Sequence, residues 1–240
     1  MVILMHRITS YKYINNYKDK TILFLHGWGC NYTYFTNIAN KIDNANCLLI
    51  DLLNFGESIT IDEPLTFNDY IDSIVNFLKE KQIKIDIIVG HSFGGKIAIY
   101  LTKYIDTSCL ILFAPSIYNK RRGLKYYSKI LFYKIIKKVK CFKKYLNNFG
   151  SDDYKSLSGP MKKTMSNIVN FNVDEQVKNY SNPILLIFGN NDNTTPLYLA
   201  KRIKKRAKNA YLFKIEGDHF AFLNNSLFSL NIIKTMVEKI

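Results

Sequence analysis

A serine set between glycines is the residue of this 240-residue chain best placed to do chemistry. In Gly90-His91-Ser92-Phe93-Gly94 the pattern G-x-S-x-G follows the apolar run Ile87-Ile88-Val89 and precedes a stretch with helical spacing. Glycines at those positions leave room for a sharp strand-to-helix turn, which projects the hydroxyl outward as a nucleophile for carbonyl carbon. A serine hydroxyl is a weak nucleophile alone. It needs a base, a group that orients the base, and donors for the oxyanion formed on attack.

Four histidines are available as the base. His6 precedes the central strands, His26 belongs to a glycine-rich turn, and His91 sits inside the serine turn itself. His219, in Glu216-Gly217-Asp218-His219-Phe220, follows the last predicted strand, where a loop presents it at the carboxyl edge of a sheet. Asp192 stands directly after another apolar strand and before Thr195-Pro196, so its carboxylate can take the imidazole N–H and hold the tautomer a base requires. Capping the next helix is the plainer role for Asp192 or Asn193, and Asp218 is the rival acid.

A second pattern overlaps the serine turn. Gly90 to Lys96 also satisfies G-x-x-x-x-G-K, the start of a phosphate-binding loop. Ile97 stands where such a loop needs Ser or Thr to hold Mg²⁺, and the following strand ends in Phe113-Ala114 without an acidic metal partner. Nucleotide binding is therefore not expected, and Lys96 is placed on the helix surface or at the cleft rim.

The elements that must position these side chains alternate. Residues 5–14 predict a leading hairpin; Thr21–His26, Cys47–Ile50, the run into Ser92, Cys109–Phe113, Pro183–Gly189 and Ala210–Ile215 predict strands. Phe35, Ile38, Ala39 and Ile42 mark one helix, and Thr66-Phe-Asn-Asp69 opens another with a capping box whose face is Ile71, Ile74, Val75 and Leu78. Further helices are predicted over residues 96–104, after Thr195 with Pro196 at the first helical position, and over residues 226–237. The alternation breaks across residues 116–182, too long for a plain connection and read as a helical insertion. The fold class predicted is α/β: a mostly parallel sheet with helices on both faces, its core formed by residues 1–115 and 183–240.

The order Ser92, Asp192, His219, together with His26-Gly-Trp-Gly29, the loop from Asp51 to Ser58 and Gly217-Asp-His219, resembles the α/β-hydrolase family over nearly the whole chain. That resemblance implies a serine hydrolase with a Ser92–His219–Asp192 triad. It assigns the oxyanion hole to the backbone N–H groups of Trp28 and Phe93, and gives Asp51 a structural part. It also implies that the insertion is a lid over the active site. Within or near that lid His26, Tyr126, Tyr127 and Met161 are candidate substrate-binding residues, with Tyr154 and Met165 as further candidates. The expected substrate is a small or medium carboxylic ester, and no metal or other cofactor is required. Thioester hydrolysis, carbon–carbon bond hydrolysis and perhydrolysis are same-fold alternatives, and a binding protein without turnover is the more distant one.

Composition narrows the partners. The net charge is +15, and eleven of the basic residues fall between Lys120 and Lys144 with no acidic residue among them. With Phe132, Ile135, Ile136, Val139 and Leu146 near helical spacing, that stretch reads as an amphipathic helix with a basic face. The reading preferred here is a lid helix with solvated lysines. Association of residues 120–144 with an anionic membrane, as in a lipid hydrolase docked on its substrate surface, is the alternative. No nucleic-acid reading motif accompanies the charge. The four cysteines are too dispersed for a metal or redox motif. The N-terminal apolar run is too short for a signal peptide, so the cytoplasm is the expected compartment. The sequence does not indicate an oligomeric state.

Overall fold

Apolar runs that show no polar alternation must be covered on both faces, and the strands built from them are. The computed structural model describes residues 7–120, 157 and 159–240. Its strands are β1 (Tyr11–Ile14), β2 (Thr21–Leu25), β3 (Asn46–Ile50), β4 (Ile87–His91), β5 (Cys109–Phe113), β6 (Ile184–Gly189) and β7 (Ala210–Ile215). Its helices are α1 (Thr33–Ala39), α2 (Phe67–Lys81), α3 (Phe93–Leu101), α4 (Gly159–Asn170), α5 (Asp174–Asn179), α6 (Leu197–Arg206), α7 (Ala221–Asn224) and α8 (Ser226–Lys239). Every residue of β2 through β6 is buried.

The strands form a seven-stranded sheet in the order β1-β3-β2-β4-β5-β6-β7. All neighbours are parallel except β1, which runs antiparallel to β3 with Tyr11 opposite Ile50. The predicted leading hairpin is corrected here. Residues 7–10 are not strand, and β1 finds its hydrogen-bond partner in β3, across the sheet edge, rather than in the preceding residues.

Alternate residues of each strand feed two cores. Leu23, Leu25, Ile88, Leu110 and Leu112 pack with α2, α3 and α6 on one face. Ile22, Phe24, Val89, Ile111 and Phe113 pack with α1 and α8 on the other. The entry to α2 is held by the predicted capping box, in which Thr66 Oγ1 accepts from the Asp69 amide and Asp69 accepts from the Thr66 amide. Cys30, Cys47 and Cys109 are buried and unpaired. No helix among the described residues is long and apolar enough to cross a membrane.

The order of strands also locates a crevice. From β2 the chain passes to β3 on one side, and from β3 it returns to β4 on the other side of β2. The loops that leave the carboxyl ends of β2 and β4 therefore diverge, and such a switch point is where open α/β sheets bind ligands. Trp28 lies on the first of these loops and Ser92 on the second.

Candidate active site

The turn after β4 is strained. Ser92 has φ 49° and ψ −110°, a region that residues with a Cβ rarely enter. The flanking glycines make the turn sterically feasible: a Cβ on Gly94 would stand 2.1 Å from the Leu25 carbonyl oxygen, and one on Gly90 would stand 2.7 Å from the Gly94 oxygen. The Ser92 amide donates to Phe113 O at 2.9 Å, and its carbonyl accepts from the Ser116 amide at 2.9 Å. The backbone on either side of the serine is thus tied to the neighbouring strand end.

The loop after β6 carries Asp192, buried with 5% exposure. It does not cap the next helix, whose N-cap position is Pro196, and its two oxygens divide between the loop backbone and the imidazole. Oδ1 accepts from the amides of Thr194 and Thr195, both at 2.8 Å. Oδ2 accepts from Thr195 Oγ1 at 2.7 Å and faces His219 Nδ1 at 2.8 Å. Burial alone would raise the Asp192 carboxyl, but the His219 and Thr195 hydrogen bonds and the neighbouring imidazole outweigh it and hold the pKa below the usual carboxylate value. Pro196, predicted at the first helical position, instead occupies the N-cap position, and α6 begins at Leu197.

His219 follows β7. With Nδ1 donating to Asp192, its Nε2 is the lone-pair nitrogen, and among the described residues it has no hydrogen-bond partner. Its backbone oxygen accepts from His91 Nε2 at 3.0 Å. Burial, then the nearby His219, lowers the His91 pKa to about 3, so that ring stays neutral and acts as a brace. Asp218, the rival acid, is exposed and its Oδ1 accepts from the Phe220 amide at 2.8 Å, a turn-forming bond within its own loop.

Ser92, His219, Trp28 and Phe93 line one cavity of about 610 Å³. No hydrogen bond joins Ser92 Oγ to His219 among the described residues, although both line the same cavity. The amides of Trp28 and Phe93 likewise have no acceptor among the described residues: Trp28 lies in the turn after β2 and Phe93 is the first residue of α3. Part of the lining comes from residues between β5 and β6, including Leu157, Met165, Ile168 and Val169.

Three expectations about the cavity are corrected. His26 does not line it. The ring is 1% exposed, with Nδ1 donating to Gly27 O at 2.7 Å and Nε2 accepting from the Leu52 amide at 3.0 Å. Met161 is turned toward the Asp51–Ser58 loop, where Asn54 Nδ2 lies 3.5 Å from its sulfur, and Met165, one helical turn on, takes the place in the wall. Lys96, placed by the sequence on the helix surface or at the cleft rim, is 2% exposed and lines the cavity, its Nζ donating to Ile168 O at 2.7 Å. Tyr126, Tyr127 and Tyr154, with residues 121–144, lie outside the described residues. Lys120 is exposed, and its Nζ donates to Asn193 O at 3.0 Å.

Sequence reasoning missed Thr195 as a support for Asp192, and Ile168, Val169 and Phe220 as cavity walls. A threonine three residues after a loop aspartate was the only available signal for the first. Among the described residues no group of three or more His, Cys, Asp or Glu is arranged to hold a metal ion.

Comparison with known proteins agrees with this geometry. Residues 22–228 match the profile of the alpha/beta hydrolase family. The chain is 25% identical over 222 residues, covering 82% of it and 81% of the relative, to a protein named putative esterase/lipase 2 from Mycoplasma pneumoniae. It is also 25% identical over 252 residues to the pimeloyl-[acyl-carrier protein] methyl ester esterase of Wigglesworthia glossinidia brevipalpis, covering 91% of this chain and 93% of that one. Among solved structures, the esterase EaEST from Exiguobacterium antarcticum superposes with a TM-score of 0.74 at 15% identity, covering 95% of this chain and 94% of that chain.

Proposed function

Since the chain belongs to the alpha/beta hydrolase family, we propose that it hydrolyses small or medium carboxylic esters through an acyl-enzyme on Ser92. The observation that carries this reading is the His219–Asp192 pair, whose unengaged Nε2 shares a cavity with a serine held in a strained turn. Ester hydrolysis is preferred over thioester or carbon–carbon bond cleavage because two relatives matched along most of their length carry esterase names.

The steps follow from the geometry. Ser92 Oγ attacks the ester carbonyl as its proton passes to His219 Nε2, and the imidazolium is stabilised by the Asp192 carboxylate. The oxyanion forms beside the Trp28 and Phe93 amides, which have no competing acceptor among the described residues. As the carbon–oxygen bond to the leaving group breaks, His219 returns the proton to the departing alkoxide, and acyl-Ser92 remains. Water then gives a proton to the same nitrogen and its hydroxide attacks the acyl carbon. The acid leaves, and Ser92 recovers its proton.

A cavity of about 610 Å³ suits a substrate of modest size. We read residues 116–182 as the lid, since Met165 and Ile168 from that stretch line the same cavity as Ser92. A panel of p-nitrophenyl esters of increasing acyl length tests the proposal. Turnover that peaks at short or medium chains and vanishes in Ser92→Ala is expected; turnover unaltered in Ser92→Ala, or none with any ester, would overturn it.

A further inference from the structure

The lysine that mimicked a phosphate-loop residue is left over by the mechanism. Lys96 follows Ser92 by four residues, its amide donates to the Ser92 carbonyl at 3.2 Å at the start of α3, and both residues line the cavity. It is among the largest fully buried side chains, yet it carries an amine. Buried charges are ordinarily paired with an opposite charge. Lys96 has no carboxylate within ion-pair distance among the described residues. Its polar contact is the Ile168 carbonyl, and its other near neighbour is the Phe67 ring, whose centroid is 5.9 Å from Nζ.

An ammonium has three N–H donors, and the Ile168 carbonyl takes one of them. Burial lowers the Lys96 pKa to about 8, which leaves the group mostly charged at neutral pH. Among the described residues, the cavity lining thus includes a cation with two further N–H donors and no carboxylate partner. Beside it the lining mixes apolar side chains, Trp28, Phe93, Met165 and Ile168 among them, with the uncharged polar residues Ser116, Asn119 and Thr194. A partly apolar pocket with a cation that no described carboxylate neutralises selects for a ligand that is mostly hydrocarbon and carries one negative group.

We propose that Lys96 is a specificity-determining residue that binds a carboxylate on the substrate, so that the preferred substrates are esters bearing a free carboxylate rather than neutral esters. This rests on the ester hydrolase reading of the same cavity. The carboxylate can lie on the acyl side, as in a half-ester of a dicarboxylic acid, or on the alcohol side, as in an acylated hydroxy acid.

The test compares kcat/KM in two matched pairs: monomethyl adipate against methyl hexanoate, and 4-acetoxybutyrate against butyl acetate, each followed by acid release in a pH-stat. A charge-assisted contact predicts that one anionic ester is preferred about 10- to 100-fold in the wild type, and the pair in which this occurs shows which side carries the charge. Lys96→Met should reduce that anionic-to-neutral ratio at least about tenfold. A purely structural role would lower both rates and leave the ratio unchanged, which would overturn the proposal. A second readout avoids both turnover and the lysine variant. Trp28, the chain's single tryptophan, lines the same cavity, so its emission in Ser92→Ala protein reports binding. Hexanoate should saturate it at a lower concentration than hexanol; equal or weaker binding of hexanoate would overturn the assignment. A wild type that hydrolyses neither member of either pair would refute the hydrolase reading, and this proposal with it. One that hydrolyses neutral esters without any preference for the anion would refute the role of Lys96 alone.

Discussion

Among the described residues two histidine–carboxylate neighbours stand at the carboxyl edge of the sheet, one fully buried and one with a partly exposed ring, and their nitrogens are engaged differently. His26 follows β2 and lies 4.0 Å from Asp51; His219 follows β7 and lies 2.8 Å from Asp192. At His26 both ring nitrogens are spent on the backbone, one donating to Gly27 and one accepting from Leu52. Asp51 is spent likewise, accepting from the Tyr32 and Glu57 amides and from Ser10 Oγ. Burial lowers the His26 pKa to about 4, and the ring works as a neutral joint between two loops. At His219 only Nδ1 is engaged, and the other nitrogen opens on the cavity. A nearby acid alone therefore does not suit a histidine to act as a base; the role proposed for His219 needs a carboxylate on one nitrogen and a free lone pair on the other.

Substitutions at the two pairs should separate these roles. The largest effect is expected at the second pair: His219→Ala and Asp192→Asn should each lower kcat about 10⁴-fold; His219→Ala should leave urea unfolding near the wild-type midpoint, whereas Asp192→Asn also gives up the stability that the lowered carboxyl pKa lends the fold. Asp218→Asn, at an exposed turn residue, should stay within about twofold. A large loss in Asp218→Asn with little in Asp192→Asn would reverse the assignment of the acid. His26→Ala should behave in the opposite manner, costing about 2 kcal/mol or more of stability by stripping partners from Leu52 and Gly27, with a far smaller loss of kcat per folded molecule.

A smaller effect sharpens the description of the second pair. Thr195→Val removes the hydroxyl that donates to Asp192 Oδ2 and keeps the shape, so kcat should fall about tenfold with KM little changed. An unchanged kcat would mean that the His219 contact alone orients the carboxylate.

The smallest effect concerns stability against pH. In the unfolded chain His26 and His91 take up protons near 6.5, whereas in the folded protein burial holds them neutral down to about 4 and about 3. The unfolded state binds more protons across that interval, so stability should be complete above 6.5 and decline as the pH falls toward 4. Asp192, with its pKa lowered in the fold, favours the folded state above its own titration and gives way only as the pH falls through it. Urea unfolding at pH 7, 5.5 and 4 measures the decline, which should be shallower in His26→Ala; parallel profiles would contradict the neutral-joint account.

Much of this arrangement was legible before the fold was known, for physical reasons. Uninterrupted apolar runs such as Ile22 to Leu25 require covering on both faces, which implies a parallel sheet. The serine turn is legible because glycine spacing reports close backbone approach, as at Gly94. What escaped was decided by side-chain direction across long sequence separations. Lys96 read as a surface or cleft-rim lysine because nothing local says that its amine meets a carbonyl 72 residues away. His26 looked like a pocket residue because a glycine-rich turn does not say which way its imidazole points. Thr195 was missed as a support for Asp192 because its acceptor, Asp192 Oδ2, is local but shared with a residue from another strand end.

The central claim is that Ser92 is a nucleophile activated by His219. Incubation of the wild-type protein with a fluorophosphonate, followed by intact mass and peptide mapping, tests it most directly. One adduct per chain is expected on the peptide holding Ser92, with labelling abolished in Ser92→Ala and slowed by orders of magnitude in His219→Ala. Absence of an adduct on the wild type, or labelling that persists in Ser92→Ala, would contradict it.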